Sequence, residues 1–233
     1  MKTKKIDFYS HIPSIHVATD CVVFGFDSGE LKLLIFKRRV EPDKGNWSLI
    51  GSFVEIEEDV DLAAQRVLKE ITGLDHVFFE QSKTYGKSNR DHGGRCISIA
   101  QYALIRINDS DKKLVEKHGA FWYTINDLPN LVLDHDKMVA DALKKLRGKA
   151  RYQPIGFELL PEKFTIPQLQ SLYEAIYQRK LDSRNFRKKA LSLKVLKKLD
   201  EKDKSTSKRG AFLYTFDREN YQNLLQSGFN FEI

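Results

Sequence analysis

Cysteine is nearly absent: Cys21 and Cys96 are the only two in 233 residues. Two thiols build no disulfide framework and cannot by themselves close a four-ligand zinc site. Each lies in an apolar run, where a packed thiol is the ordinary outcome, and a reducing cytoplasm is the expected compartment. Also lacking is any apolar run of the roughly 18 residues that a membrane span requires, so no membrane partner is expected. The opening MKTKKIDFYSHIPS is basic but has no signal-peptide apolar segment. There is no internal repeat and no long low-complexity tract. With 41% apolar and 30% charged residues, the composition excludes a largely disordered chain. The length favours two domains.

The net charge of +7 belongs to one end of the chain. Residues 1–148 hold 22 Lys+Arg against 22 Asp+Glu, and residues 149–233 hold 17 against 10. Within 179–209 the count is 13 against 4, which predicts a polyanionic partner for the C-terminal part.

The two halves also differ in rhythm. Residues 15–26 and 31–37 alternate apolar side chains around the Asp27–Gly29 turn and read as paired strands, followed by strands at 96–107 and 119–123. Between them, residues 59–72 place apolar side chains at 60, 63, 64, 67, 68 and 71, a helical period, with Asp59 as N-cap and Gly73 as stop. A second helix is expected over 135–147. This is an α+β pattern, with domains expected at 1–148 and 149–233. After the division, a helix from Thr165 to about 178 carries Pro167 in its first turn. A further helix, SRNFRKKALSLKVLKKL, is expected to be capped by Asp182 or Ser183. A polar loop and the strand 211–216 complete the order of a winged helix-turn-helix. Tyr152, Phe157, Leu160, Phe164, Leu169, Leu172, Tyr173 and Ile176 are its expected core.

The segment GSFVEIEEDVDLAAQRVLKEITGL (51–74) resembles a Nudix box. Glu58, Arg66, Leu68, Glu70, Gly73 and Leu74 match its pattern. Ser52 replaces a glycine, and Val67 and Ile71 replace two glutamates. Carboxylates at 67, 70 and 71 would share one helical face, where Nudix hydrolases hold Mg²⁺ against a pyrophosphate. With two of the three aliphatic, the resemblance implies the Nudix α/β/α sandwich and its mixed sheet without the hydrolysis, no metal and no cofactor. The preceding GNWSLIG resembles the family's lead-in, with Ile50 in place of proline. The polar run 81–98 is similar to the loop of Nudix proteins that handle ADP-ribose. Arg90, Asp91 and Arg95 there suit a phosphate or sugar hydroxyls. Asp20, Lys37, Ser52, Glu70, Arg90, Arg95 and His135 form the expected effector-binding set.

The basic half carries a second signal. On a helix, Arg184, Arg187 and Lys188 fall at i, i+3 and i+4, flanked by Asn185 and Lys189, with Phe186, Leu191 and Leu193 facing inward. Arginine and asparagine read base edges, and lysine meets phosphate. Lys204, Ser207, Lys208 and Arg209 are placed at the tip of the wing, suited to phosphates or the minor groove.

The pattern at 157–174 (FELLPEKFTIPQLQSLYE) and DSRNFRKK at 182–189 resemble the Nudix-related transcriptional regulators, the NrtR family. That resemblance implies a ligand-responsive regulator, a repressor by expectation. It would act as a homodimer on a double-stranded operator, with a sugar or sugar nucleotide as effector. L-arabinose, through similarity to the arabinose-responsive AraR branch, is the leading effector. ADP-ribose sensing in nicotinamide cofactor metabolism is the alternative, and an active Nudix hydrolase of ADP-ribose-like substrates is a further rival.

Overall fold

A computed structural model describes residues 11–205 and 210–226. Its first half is built on a six-stranded sheet. The strands are β1 (His16–Asp27), β2 (Glu30–Lys37), β3 (Trp47–Phe53), β4 (Glu80–Tyr85), β5 (Cys96–Arg106) and β6 (Ala120–Thr124). They lie in the order β4-β5-β1-β3-β2-β6, with β1 parallel to β5 over its length and the other pairings antiparallel.

The central strand β1 is buried on both faces, and its alternation sorts two cores. Cys21 and Val23 pack with Leu34 and Ile50 against α1 (Val60–Thr72), with Val115 of α2 (Asp109–Lys117) in the same cluster. Val22, Phe24 and Phe26 face α3 (His135–Tyr152) and continue into the C-terminal half. The sheet is therefore the middle layer of an α/β/α sandwich.

Helix α1 ends where Gly73 takes a left-handed conformation (φ 78°) and its N–H meets the Lys69 carbonyl. Asp59 sits at the N-cap position but makes no side-chain cap bond.

The second half contains β7 (Phe164–Thr165), α4 (Ile166–Tyr177), α5 (Ser183–Ser192), β8 (Leu196–Asp203), β9 (Ala211–Phe216) and α6 (Arg218–Gln226). Thr165 and Gln168 form a reciprocal capping box at the start of α4, and the Asp182 carboxylate accepts the Asn185 N–H to start α5. Strands β7, β9 and β8 make a small antiparallel sheet whose β8–β9 hairpin is the wing.

Several expectations need correction. The helix from Ser183 stops at Ser192; Lys194 adopts a left-handed φ of 57°, Val195 is buried, and 196–203 is a strand. Leu196 and Leu199 are spaced three apart, as on a helix face, and the strand accommodates both through an irregularity in its pairing between Lys198 and Lys202. Leu191 points outward, and Ala190 with Phe186 and Leu193 fills the inner face. Tyr152 is 53% exposed because it ends α3 beyond the core. Residues 81–85, read as loop, form an edge strand with few apolar side chains. Helix α3 extends to Tyr152 rather than ending at 147, and α2 and α6 are additional to the expected helices.

Candidate functional site

Three groups of side chains bear on function. The first surrounds the box. Arg66, on α1, donates from Nε to Glu58 Oε2 at 2.9 Å and from Nη2 to Oε1 at 2.5 Å. Its remaining donors reach Glu70 Oε2 at 3.2 Å and the Phe53 carbonyl at 3.1 Å, and Glu55 lies at 3.7 Å. The Arg66 hydrogen bonds, with a further one from the Glu55 N–H, hold the Glu58 carboxyl down to about 2. The surviving carboxylates thus converge on one guanidinium.

At the replaced positions Val67 is fully buried and Ile71 is half-buried against the α1-side core. The donor set does not fit a hard divalent cation, which needs several oxygen ligands at close range. Among the described residues no group of three or more His, Cys, Asp or Glu is arranged for a metal.

The second group is a buried polar cluster on the opposite face of the sheet. Asp20 of β1, Arg90 of the 86–95 loop, Asp134, and His135 at the start of α3 meet there. Arg90 forks Asp134 through Nε (3.1 Å) and Nη2 (2.7 Å), and its Nη2 stands 3.8 Å from Asp20. Its side chain is only 2% exposed. Asp20 accepts the Ser98 hydroxyl at 2.5 Å.

Gly51, opposite Asp20 in the β1–β3 register, makes this approach feasible: a Cβ there would lie 2.1 Å from Asp20 Oδ1. His135 Nδ1 accepts the Leu49 N–H at 3.2 Å, so the ring proton sits on Nε2, 3.5 Å from Asp20 Oδ1. Burial keeps the His135 pKa below its ordinary value, despite the nearby aspartates, so the ring is neutral.

Of the seven expected effector residues, Asp20, Arg90 and His135 come together here. Lys37 lies over the Trp47 ring at 5.1 Å, and Arg95 ties the base of its loop through the Gly86 and Lys87 carbonyls. Ser52 is exposed on β3, and Glu70 belongs to the Arg66 group. Ser98 and Gly51 carried no sequence signal, because a serine in a strand and a glycine in a box declare no partner.

The third group is α5 and the wing. Arg184, Asn185, Arg187, Lys188 and Lys189 are all exposed, while Phe186 and Ala190 are buried beneath them. Lys204 is exposed at the end of β8; Ser207, Lys208 and Arg209 lie outside the described residues. Lys198 and Lys202 stand over the Phe212 ring at 3.7 and 4.5 Å, adding charge to the wing that the helical reading of 196–199 had concealed.

A Nudix sandwich joined to a winged helix with an exposed basic helix defines a class: ligand-responsive DNA-binding regulators. Residues 14–142 match the NUDIX domain, and residues 156–216 match the NrtR DNA-binding winged helix domain. The chain belongs to the NrtR family.

It is 32% identical over 216 residues to the ADPR responsive transcriptional repressor NtrR of Acinetobacter baylyi, covering 91% of this chain and 86% of that protein. It is 33% identical over 145 residues to an ADP-ribose pyrophosphatase of Methanocaldococcus jannaschii, covering 62% of this chain and 84% of that one. The crystal structure of Shewanella oneidensis NrtR with a 27mer DNA superposes with a TM-score of 0.72 at 26% identity, over 86% of this chain and 93% of that one. The NUDIX domain of the same protein complexed with ADP ribose superposes with a TM-score of 0.51 at 25% identity, over 58% of this chain and 91% of that one.

Proposed function

We propose that this protein is a cytoplasmic, homodimeric transcriptional repressor whose Nudix domain binds ADP-ribose without hydrolysing it. Residues 1–148 sense and residues 149–233 bind the operator. The observation that carries this reading is the loss of two of the three box carboxylates to Val67, fully buried, and Ile71, half-buried in the α1-side core, in a chain that retains an exposed basic helix.

ADP-ribose replaces L-arabinose as leading effector because the Acinetobacter relative is described as responsive to it and the Shewanella NUDIX domain was crystallised with it. Lys37, Ser52, Glu70 and Arg95 are the exposed members of the expected effector set and Asp20, Arg90 and His135 its buried members, with Ser52 and Glu70 on the α1 face of the sheet, away from the buried cluster. Arg184, Asn185, Arg187, Lys188 and Lys189 meet the major groove, and Lys204 and the wing tip meet phosphates.

The test is fluorescence anisotropy on duplexes selected from a random pool, with and without ADP-ribose and L-arabinose, beside a hydrolysis assay with Mg²⁺. Tight, salt-dependent binding weakened by ADP-ribose, with no turnover, is expected. Similarity to a pyrophosphatase favours the rival reading. Turnover abolished by Glu70→Gln would establish that rival.

A further inference from the structure

Asp134 precedes α3 at the N-cap position, where an aspartate ordinarily accepts a helix N–H. Here it makes no cap bond: its backbone (φ −105°, ψ 21°) lies outside the extended range of a capping residue, and both carboxylate oxygens accept from Arg90. A capping arrangement would need ψ to turn into the extended range and the carboxylate to swing away from Arg90, so the paired and the capping arrangements are two distinct conformations.

Helix α3 is continuous for 18 residues, about 27 Å at the usual rise. Near its far end, Arg147 Nε donates to the Ile176 carbonyl at 3.1 Å. That carbonyl lies in the last turn of α4, where carbonyls lack helical partners and a cation is favoured.

From there α4 is tied to α5. Gln170 Nε2 donates to the Leu181 carbonyl (2.9 Å) and the Ser183 hydroxyl (3.1 Å), and Glu174 Oε1 accepts the Leu181 N–H at 2.9 Å. Hydrogen bonds thus link the 86–95 loop, α3, α4 and the basic helix without a gap.

We propose that Asp134 is a two-position switch linking the effector site to the recognition helix through α3 and the Arg147–Ile176 contact. An anionic effector that draws on Arg90 competes with Asp134 for the same N–H groups. The freed carboxylate then caps α3, and the shifted helix moves α4 and α5 together. A coupling device needs such an element with two discrete arrangements, each favoured at one site.

This inference rests on the ADP-ribose reading, and the experiment separates the two. DNA affinity is measured by anisotropy with and without saturating ADP-ribose for wild type, Asp134→Asn and Arg147→Met, with ADP-ribose affinity by calorimetry. Wild type should respond about 5-fold or more, within the range of ordinary allosteric couplings. Arg147→Met should bind ADP-ribose within about 3-fold of wild type, while its DNA response falls below about 2-fold, because the connection and not the site is lost.

Asparagine still caps a helix but pairs weakly with arginine. Asp134→Asn without effector should therefore move toward the DNA affinity of liganded wild type. A wild type that binds ADP-ribose without any DNA response overturns the functional reading and the switch with it. A responsive wild type beside an Arg147→Met that responds equally, or an Asp134→Asn that matches unliganded wild type, overturns the switch alone. If Arg147→Met does not fold, Asp134→Asn decides.

Discussion

At the scale of single residues, the buried cluster depends on one missing side chain and one withheld proton. Gly51→Ala would put a Cβ against Asp20 Oδ1, with the Thr19 carbonyl 3.0 Å away, so Asp20 must leave Ser98 and His135. Overpacking of this kind costs about 1–3 kcal/mol, read as a lowered denaturation midpoint. His135 predicts a pH dependence. Its folded pKa lies below its ordinary 6.5, so the unfolded chain takes the proton first as pH falls. Its contribution is intact above about pH 6.5 and is lost progressively below it. Asp20 and Asp134 favour the proton, Arg90 and Arg38 oppose it, and burial outweighs them all. Thermal midpoints should fall between pH 7 and 5, and His135→Gln should flatten that slope; an equal slope in the variant would remove His135 as its source. Asp20, Arg90 and His135 were legible as polar residues in suggestive places. Their convergence was not, since it depends on β1 lying beside β3 and on a ten-residue loop folding inward.

At the scale of elements, α5 divides cleanly into a structural and a binding face. Arg187→Ala removes an exposed side chain and should leave the melting temperature nearly unchanged while weakening operator binding by about 1–3 kcal/mol. Phe186→Ala removes a ring packed 5.8 Å from Tyr173 and should cost stability by about 3–5 kcal/mol. Loss of effector binding together with DNA binding in a folded Arg187→Ala would refute the separation. The basic face was readable because i, i+3 and i+4 spacing survives any error in the helix end. The end itself was not, because Lys194 turns left-handed without the glycine that normally announces such a turn. The wing strand therefore hid inside an extended helical pattern. In the box, by contrast, the replaced glutamates and a bond between Glu58 and Arg66 could be read directly, and only the approach of Glu70 and Glu55 to the same guanidinium required coordinates.

At the scale of the whole molecule, the Nudix and winged helix halves share one core. Val22, Phe24 and Leu33 of the sheet, Leu143 and Leu146 of α3, and Leu169, Leu172 and Phe186 of the winged helix belong to one contiguous cluster. The β1–β2 turn closes the junction: Gly29, at φ 87°, passes so near α4 that a Cβ would lie 2.7 Å from Ser171 Oγ. A change of composition along the chain marks two functions, but it carries no information about how much apolar surface the two parts bury together. Shared burial makes separate melting costly, because unfolding either half exposes side chains of the other. Calorimetry of the full chain should therefore give a single transition whose calorimetric and van't Hoff enthalpies agree, and bound effector should shift all of it upward. Two resolved transitions, with only the first responding to ADP-ribose, would mean that the halves are energetically independent. A single responsive transition would mean that the Nudix and winged helix halves unfold as one cooperative unit, so that a ligand of the native chain stabilises both.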